Sequence, residues 1–405
     1  MTTPSDHDPV IVAYRRTPIG RARKGSLASE RPEDLALVAA RAALADVPEV
    51  EAANFDDAYV GCAVPERVQG ENIGRRIAIL AGWDTLGAVT VNRFCASSVQ
   101  TTAMAAQAIR AGDADAILVI GVESTSSTPP AGTFAHPAFA DAAERAETAF
   151  ATGTSWVDPR TRGELPDAYI AMGKTAEFVA RITGTSREDQ DAWALRSQQC
   201  AVAAVEDGYF SREIAAVTTS DGRVVFADDG PRPSTTAEGL AALPPAFLDT
   251  GTVTAGNASP LNDGASALIV MSAKRARELR VRPLARILGS AVTGLSPEIM
   301  GLGPVEATRK LLRRTGMTID DIDLMELNEA FAAQVVPTVA QLGIDADRVN
   351  PFGGAIALGH PFGATGARLV GTLINGLTTR DGTVGVATLC VGGGQGMALA
   401  IERIH

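Results

Sequence analysis

Phe55-Asp56-Asp57-Ala58-Tyr59-Val60-Gly61 and, far along the chain, Ile319-Asp320-Asp321-Ile322-Asp323-Leu324-Met325-Glu326 read as one device written twice. Each follows a helix and leads through acidic residues into an apolar strand. The first helix starts near Arg31-Pro32-Glu33-Asp34, with proline at a tolerated first-turn position and acids in the first turn. Its apolar stripe is Leu35, Val38, Ala39, Ala42 and Ala43. The second helix covers residues 304–314. Both passes then continue in step. Residues 99–110 read as a buried alanine-rich helix closed by Gly112, and Ala116-Ile117-Leu118-Val119-Ile120-Gly121 as a strand covered on both faces. Residues 363–374 and Gly385-Val386-Ala387-Thr388-Leu389 repeat that helix and strand. The order predicts a duplicated α/β unit.

At 405 residues the chain is long for one core, which fits two fused halves. Residues 1–123 form the first half, completed by 249–280, and residues 281–405 form the second. Residues 124–248 break the alternation with proline, glycine and basic residues, and predict an insertion that carries binding loops. Its helices are expected over 172–182 and from Ser186-Arg187-Glu188-Asp189, a capping-box pattern. The regular pattern is expected to resume at Val253.

A hydrophobic content of 46% against 20% charged residues is the balance of a globular protein with large buried elements. The net charge of −11 leaves no general basic field for nucleic acid. No apolar run approaches the roughly 20 residues that cross a bilayer, and the polar, acidic start lacks a signal-peptide pattern. The four cysteines show neither metal-type spacing nor disulfide density, so a reducing cytoplasm is the expected setting and no metal is expected.

Two of those cysteines and one histidine stand in small-residue settings. Cys95 lies in Val91-Asn92-Arg93-Phe94-Cys95-Ala96-Ser97-Ser98, where an extended run turns into a helix; amides at a helix terminus favour a thiolate there. An unpaired cysteine is more often a small buried hydrophobe, but a polar turn of small residues leaves room for a substrate. Of four histidines, His7 and His405 lie near the termini and His136 in the insertion, all expected in solvent. His360 stands in Gly353-Gly354-Ala355-Ile356-Ala357-Leu358-Gly359-His360-Pro361, where glycines permit close backbone approach. Cys390 ends a buried strand and opens Gly392-Gly393-Gly394, too near the C-terminus for a dinucleotide-binding unit. Asn328-Glu329-Ala330-Phe331 closes another strand. Cys62 and Cys200 have no such context and read as structural.

In this order the segments resemble the thiolases, over almost the whole chain from Arg16-Thr17-Pro18-Ile19-Gly20 to the last strand. The resemblance implies duplicated halves in a layered αβαβα core with a long inserted loop domain for coenzyme A. It implies that Cys95 carries the acyl group, that His360 activates it and the incoming thiol, and that Cys390 is the second acid or base. The amides of Cys95 and Gly392 would form one oxyanion hole. Asn328, holding a water, would form a second with His360, while Glu329 orients. Ser259, in Ala255-Gly256-Asn257-Ala258-Ser259, and Met172, before Gly173, match pantetheine contacts. Phe331 is a candidate to line the same tunnel, an apolar core role being the alternative, and Arg232 with its basic neighbours is a candidate phosphate contact, a solvated loop charge being the alternative. Ala171 stands where biosynthetic members have histidine, and Ser98 where many have glycine. The implied reaction is CoA-dependent cleavage of a 3-ketoacyl-CoA or its reversal, without metal or redox cofactor, in a homodimer or homotetramer that binds neither nucleic acid nor membrane.

Three rivals differ at the same residues. A decarboxylating ketosynthase would carry a second histidine in place of Cys390. A hydrolase would not need Cys390, and a non-catalytic acyl-CoA-binding protein would have no use for the triad.

Overall fold

The computed structural model describes residues 4–128 and 135–404. The first half contributes strands β1 (Pro9–Arg16), β2 (Asp57–Gly61), β3 (Ala88–Val91), β4 (Ala116–Ser124) and β5 (Asn262–Ser272). The second contributes β6 (Ala285–Gly294), β7 (Leu324–Leu327), β8 (Val384–Val391) and β9 (Gln395–Arg403). They run β7-β8-β9-β6-β1-β5-β4-β2-β3 in one sheet, in which β1 meets β6 through only two residue pairs.

That weak seam separates two copies of one topology. Within the first, β1–β5 and β5–β4 are antiparallel while β4–β2 is parallel. Within the second, β6–β9 and β9–β8 are antiparallel while β8–β7 is parallel. The fifth position, held by β3 beside β2, is reduced in the second half to a parallel bridge between Met325 and Val349.

The acidic lead-ins do the same work in both copies. A carboxylate oxygen of Asp56 accepts the Asp115 and Ala116 amides, and one of Asp323 accepts those of Thr383 and Val384. Each acid thus fixes the start of the neighbouring parallel strand, where backbone donors would otherwise lack partners.

Helices divide the molecule into layers. α1 (Pro32–Ala45) covers the outer face of the first half, and α3 (Gly303–Thr315) and α4 (Ala332–Leu342) cover that of the second. Between the half-sheets lie α2 (Ser97–Ala111) and α5 (Phe362–Thr379), packed on each other. Alanine on α2 and glycine on α5 allow this close approach: a Cβ on Gly366 would fall 2.3 Å from the Val99 amide nitrogen. The middle layer is accordingly continuous, with Val99, Ile109, Leu369, Val370 and Leu373 fully buried.

The segment after Ser124 departs from the alternation. It carries the helices Met172–Thr183 and Arg187–Glu206, the latter opened by the Ser186–Asp189 capping box. Regular structure resumes nine residues later than Val253, at Asn262. The chain between is a loop tied by bridges from Ala258 to Phe331 and from Leu261 to His360, so it walls the site instead of joining the sheet.

Candidate active site

Cys95 sits on a tight turn between β3 and α2. The Asn92 side chain accepts the Phe94 amide at 2.7 Å. Ser97 Oγ accepts the Arg93 amide at 2.9 Å and donates to the Phe94 carbonyl at 2.6 Å. Phe94 is held at φ 44°, a conformation that costs a non-glycine residue energy and persists where surroundings enforce it. The turn leaves Cys95 partly exposed and directs two amides, its own and that of Gly392, at the sulfur. Ser98, buried in the first turn of α2, accepts the Ala367 amide of α5 at 2.8 Å, so its side chain has a packing role between the central helices.

Gly392 follows β8, in which Cys390 is buried. Burial first, then the negative charge of a Cys95 thiolate, pushes the Cys390 thiol well above its usual range. Burial, and after it the Glu123 carboxylate, push the Cys95 thiol up to about 12 against the pull of the two amides. Cys95 precedes the helix by two residues, and desolvation outweighs the amides there.

His360 is buried and its backbone amide is accepted by Asn262 Oδ1 at 2.9 Å. Its Nδ1 lies 2.6 Å from Thr365 Oγ1, whose own proton goes to the Pro361 carbonyl at 3.0 Å. A hydroxyl has one proton to give, so Thr365 accepts here and Nδ1 carries the hydrogen. Nε2 is then the lone-pair nitrogen, and it accepts Asn328 Nδ2 at 3.2 Å. Burial first and the Arg368 cation second push the ring down to about 3. A protonated thiol and a free imidazole base result, the state from which a general base can take a proton.

Asn328 directly follows β7; Gln334 holds its carbonyl at 2.8 Å. Glu329, beside it, accepts from Trp193, Ser197, Asn350 and the Ile356 amide. All its directions are used, so it braces the loop.

Of the binding candidates, Met172 and Phe331 pack against the cluster of Met300, Ala330 and Cys390. Ser259 lies next to them, bonded through Oγ to the Ala330 carbonyl at 3.1 Å. It lines a surface cleft of about 360 Å³ with Arg21, Arg23, Lys24, Phe247 and Leu261. Phe247 meets Phe331 edge to face at 6.3 Å, and Leu261 bridges to His360, so the cleft leads inward. Arg232 is exposed on a loop outside this group; the charge of Arg21 nearby lowers its pKa, burial being the larger cause. Thr365, Arg21, Arg23, Lys24 and Phe247 were not singled out by sequence. A basic run directly after a glycine turn was the available signal for three of them. Cys62 is buried and Cys200 half-buried; His7 and His136 are exposed, and His405 lies outside the described residues.

Two sulfurs with different tasks are needed where one carries an acyl group and the other makes or quenches a carbanion. That division defines an acyltransferase acting on carbon–carbon bonds. The chain belongs to the thiolase family: residues 9–274 match the N-terminal domain of thiolase and residues 281–403 its C-terminal domain. It is 44% identical over 406 residues to a 3-ketoacyl-CoA thiolase of Bacillus subtilis, covering 97% of this chain and 98% of that one. It is 45% identical to a beta-ketoadipyl-CoA thiolase of Pseudomonas knackmussii, covering 96% and 97%. The crystal structure of the Bacillus anthracis acetyl-CoA acetyltransferase superposes with a TM-score of 0.87 at 38% identity over 99% of this chain and 100% of that one. Human mitochondrial 3-ketoacyl-CoA thiolase in complex with CoA gives 0.85 at 35% identity, covering all of both chains.

Proposed function

We propose that the protein cleaves 3-ketoacyl-CoA with coenzyme A, and runs the reverse condensation, through an acyl-Cys95 intermediate. The observation that carries this reading is the Cys95 sulfur beneath its own amide and that of Gly392, with Cys390 beside it. In cleavage, Cys95 attacks the keto carbon as His360 Nε2 takes the thiol proton. The two amides hold the oxygen that becomes negative. The bond between the α and β carbons breaks, and its electron pair leaves on the acetyl-CoA enolate. Cys390 protonates the enolate carbon. His360 passes the proton it took to the Cys390 thiolate, then deprotonates incoming CoA, whose sulfur displaces Cys95 to yield the shortened acyl-CoA, and returns that proton to the departing Cys95 sulfur. Condensation reverses each step, with Cys390 removing the α proton. Asn328 and a water it holds complete the second oxyanion site with His360.

The inserted segment 124–248 supplies the coenzyme A side. Met172, Phe331 and Ser259 line the pantetheine path, and Arg232 with Arg21 meets phosphate. The chemistry assigned here uses no metal or redox cofactor. All four cysteines are free, which suits a reducing cytoplasm. β3 lies at the sheet edge with Val89, Ile79, Leu80 and Phe94 exposed nearby, a surface that suits a homodimer or a tetramer built from it.

The test is the mass of the intact protein after brief mixing with acetyl-CoA or acetoacetyl-CoA. An acetyl adduct is expected on the wild type and on Cys390→Ala, and none on Cys95→Ala. Cys390→Ala is also expected to make no acetoacetyl-CoA. Absence of any adduct from these and longer acyl-CoAs would overturn the reading.

A further inference from the structure

A turn at the mouth of the Ser259 cleft carries cations without partners. Its inner end is fixed beside His360. Arg21 pairs in register with Asn262, which accepts the His360 amide, and the Ala22 amide donates to the Leu261 carbonyl at 2.9 Å. The chain then turns outward and closes on itself, the Gly25 amide reaching the Arg21 carbonyl at 2.8 Å. Arg21 is half-buried, while Arg23 and Lys24 line the same cleft as exposed residues. Arg23 is held at φ 68°, a left-handed conformation that costs a non-glycine residue energy, and its amide donates to Ser126 Oγ at 2.6 Å. The turn is thus fixed at both its inner and its outer end.

The insertion is stitched to this turn. Asp229 Oδ2 accepts the amides of Arg21 and Ser26, at 2.8 Å each, and the Asp229 amide donates to the Ile19 carbonyl at 3.0 Å. Arg232 follows three residues later. The two acids here are already engaged, Asp229 by those amides and Asp228 by Arg16 and the Ile19 amide. The side chains of Arg21, Arg23, Lys24 and Arg232 have no hydrogen-bond or ion-pair partner among the described residues. A chain of net charge −11 thus keeps three unpaired cations on one cleft, and a fourth on the loop stitched to it. Cations of one sign at a cleft mouth draw in an anion and raise its local concentration.

Resting on the proposed binding of coenzyme A along Ser259, we propose that Arg23 and Lys24 bind its ribose 3′-phosphate. They make the cleft selective for coenzyme A over thiols that lack this group. The order along the turn matches the order along the ligand. Arg21, nearer His360, meets the diphosphate, and the exposed Arg23 and Lys24 meet the terminal phosphate.

Calorimetric titration with coenzyme A and with dephospho-coenzyme A, which lacks the 3′-phosphate alone, reads this contact without turnover. The wild type is expected to bind coenzyme A about tenfold tighter at low salt, and the ratio to shrink as salt rises. Arg23→Gln/Lys24→Gln is expected to bind the two ligands alike, with its affinity for dephospho-coenzyme A unchanged. Arg41→Gln/Arg313→Gln removes two exposed cations from α1 and α3 and is expected to discriminate as the wild type does. A wild type that binds both ligands equally, or neither, overturns the proposal. So does discrimination that survives in Arg23→Gln/Lys24→Gln or is lost in Arg41→Gln/Arg313→Gln. The mass of the intact protein after mixing with acetyl-CoA or with S-acetyl-N-acetylcysteamine, a thioester without phosphate, separates this from acyl transfer. An adduct on Cys95 without phosphate discrimination keeps the chemistry and rejects the phosphate contact. Discrimination without an adduct from either thioester keeps the contact and rejects the chemistry.

Discussion

At the scale of the residue, the hydroxyl of Thr365 decides which nitrogen of His360 works. It gives its proton to Pro361 and accepts from Nδ1, leaving Nε2 free. Thr365→Val keeps the shape but leaves a buried N–H unpaired, a cost of about 1–3 kcal/mol. We expect kcat for thiolysis to fall about 10–100-fold with KM for CoA little changed. A change confined to KM would assign the hydroxyl to packing alone. The ring's low pKa sets a second expectation. On the proposed mechanism protonation of His360 removes the base, so kcat/KM should hold as pH falls from 7 to 5 and decline only as it approaches about 3, the value to which burial and Arg368 bring the ring. A decline centred near 6.5, the ordinary histidine value, would contradict this. The glycine-flanked histidine drew attention in the sequence. Thr365 did not, because a threonine in a helix announces nothing until its acceptor role is seen.

At the scale of the element, the turn from β8 to β9 separates glycines needed for shape from the one proposed to serve the oxyanion hole. A Cβ on Gly394 would fall 2.2 Å from the Leu295 carbonyl oxygen, at φ 77°. A Cβ on Gly392 would meet nothing closer than the Phe94 ring at 3.5 Å, and its φ is outside the left-handed region. Gly394→Ala is thus expected to lower the thermal midpoint by several degrees, through strain of about 1–3 kcal/mol. Gly392→Ala should unfold within about a degree of the wild type, since an ordinary van der Waals contact adds little strain. Calorimetry on both variants checks the contrast; equal losses would refute it. Sequence grouped these glycines as one run because they are neighbours. Only the approach of the β6 end to Gly394 tells them apart. The central helices were legible from alanine content and buried strands from continuous apolar runs. The loop from Val253 was not, since its contacts are with Phe331 and His360, remote in sequence.

At the scale of the whole molecule, Arg16 ties the insertion to the first strand. It is 1% exposed and pairs with Glu213 at 3.0 Å and with Asp228 at 2.7 Å, both from the segment after β4. Asp228 also accepts the Ile19 amide at 2.7 Å. Arg16→Ala leaves two buried carboxylates without their cation, and we expect a loss of about 3–5 kcal/mol in denaturant unfolding. A loss below about 1 kcal/mol, the range of surface pairs, would show that the insertion is anchored elsewhere. The duplication was legible because its acidic lead-ins recur, and the structure gives their reason in the amides that Asp56 and Asp323 accept. Where the insertion attaches was not legible, because its partners are single residues some two hundred positions apart.

The twofold plan has one more consequence. Cys95 and His360 each stand two residues before the central helix of their own half, α2 and α5. The proposed nucleophile and its proposed base thus occupy equivalent positions in the two copies of the topology. Neither copy alone holds both, so on the proposed mechanism the chain works as an internal heterodimer whose two halves each supply what the other lacks.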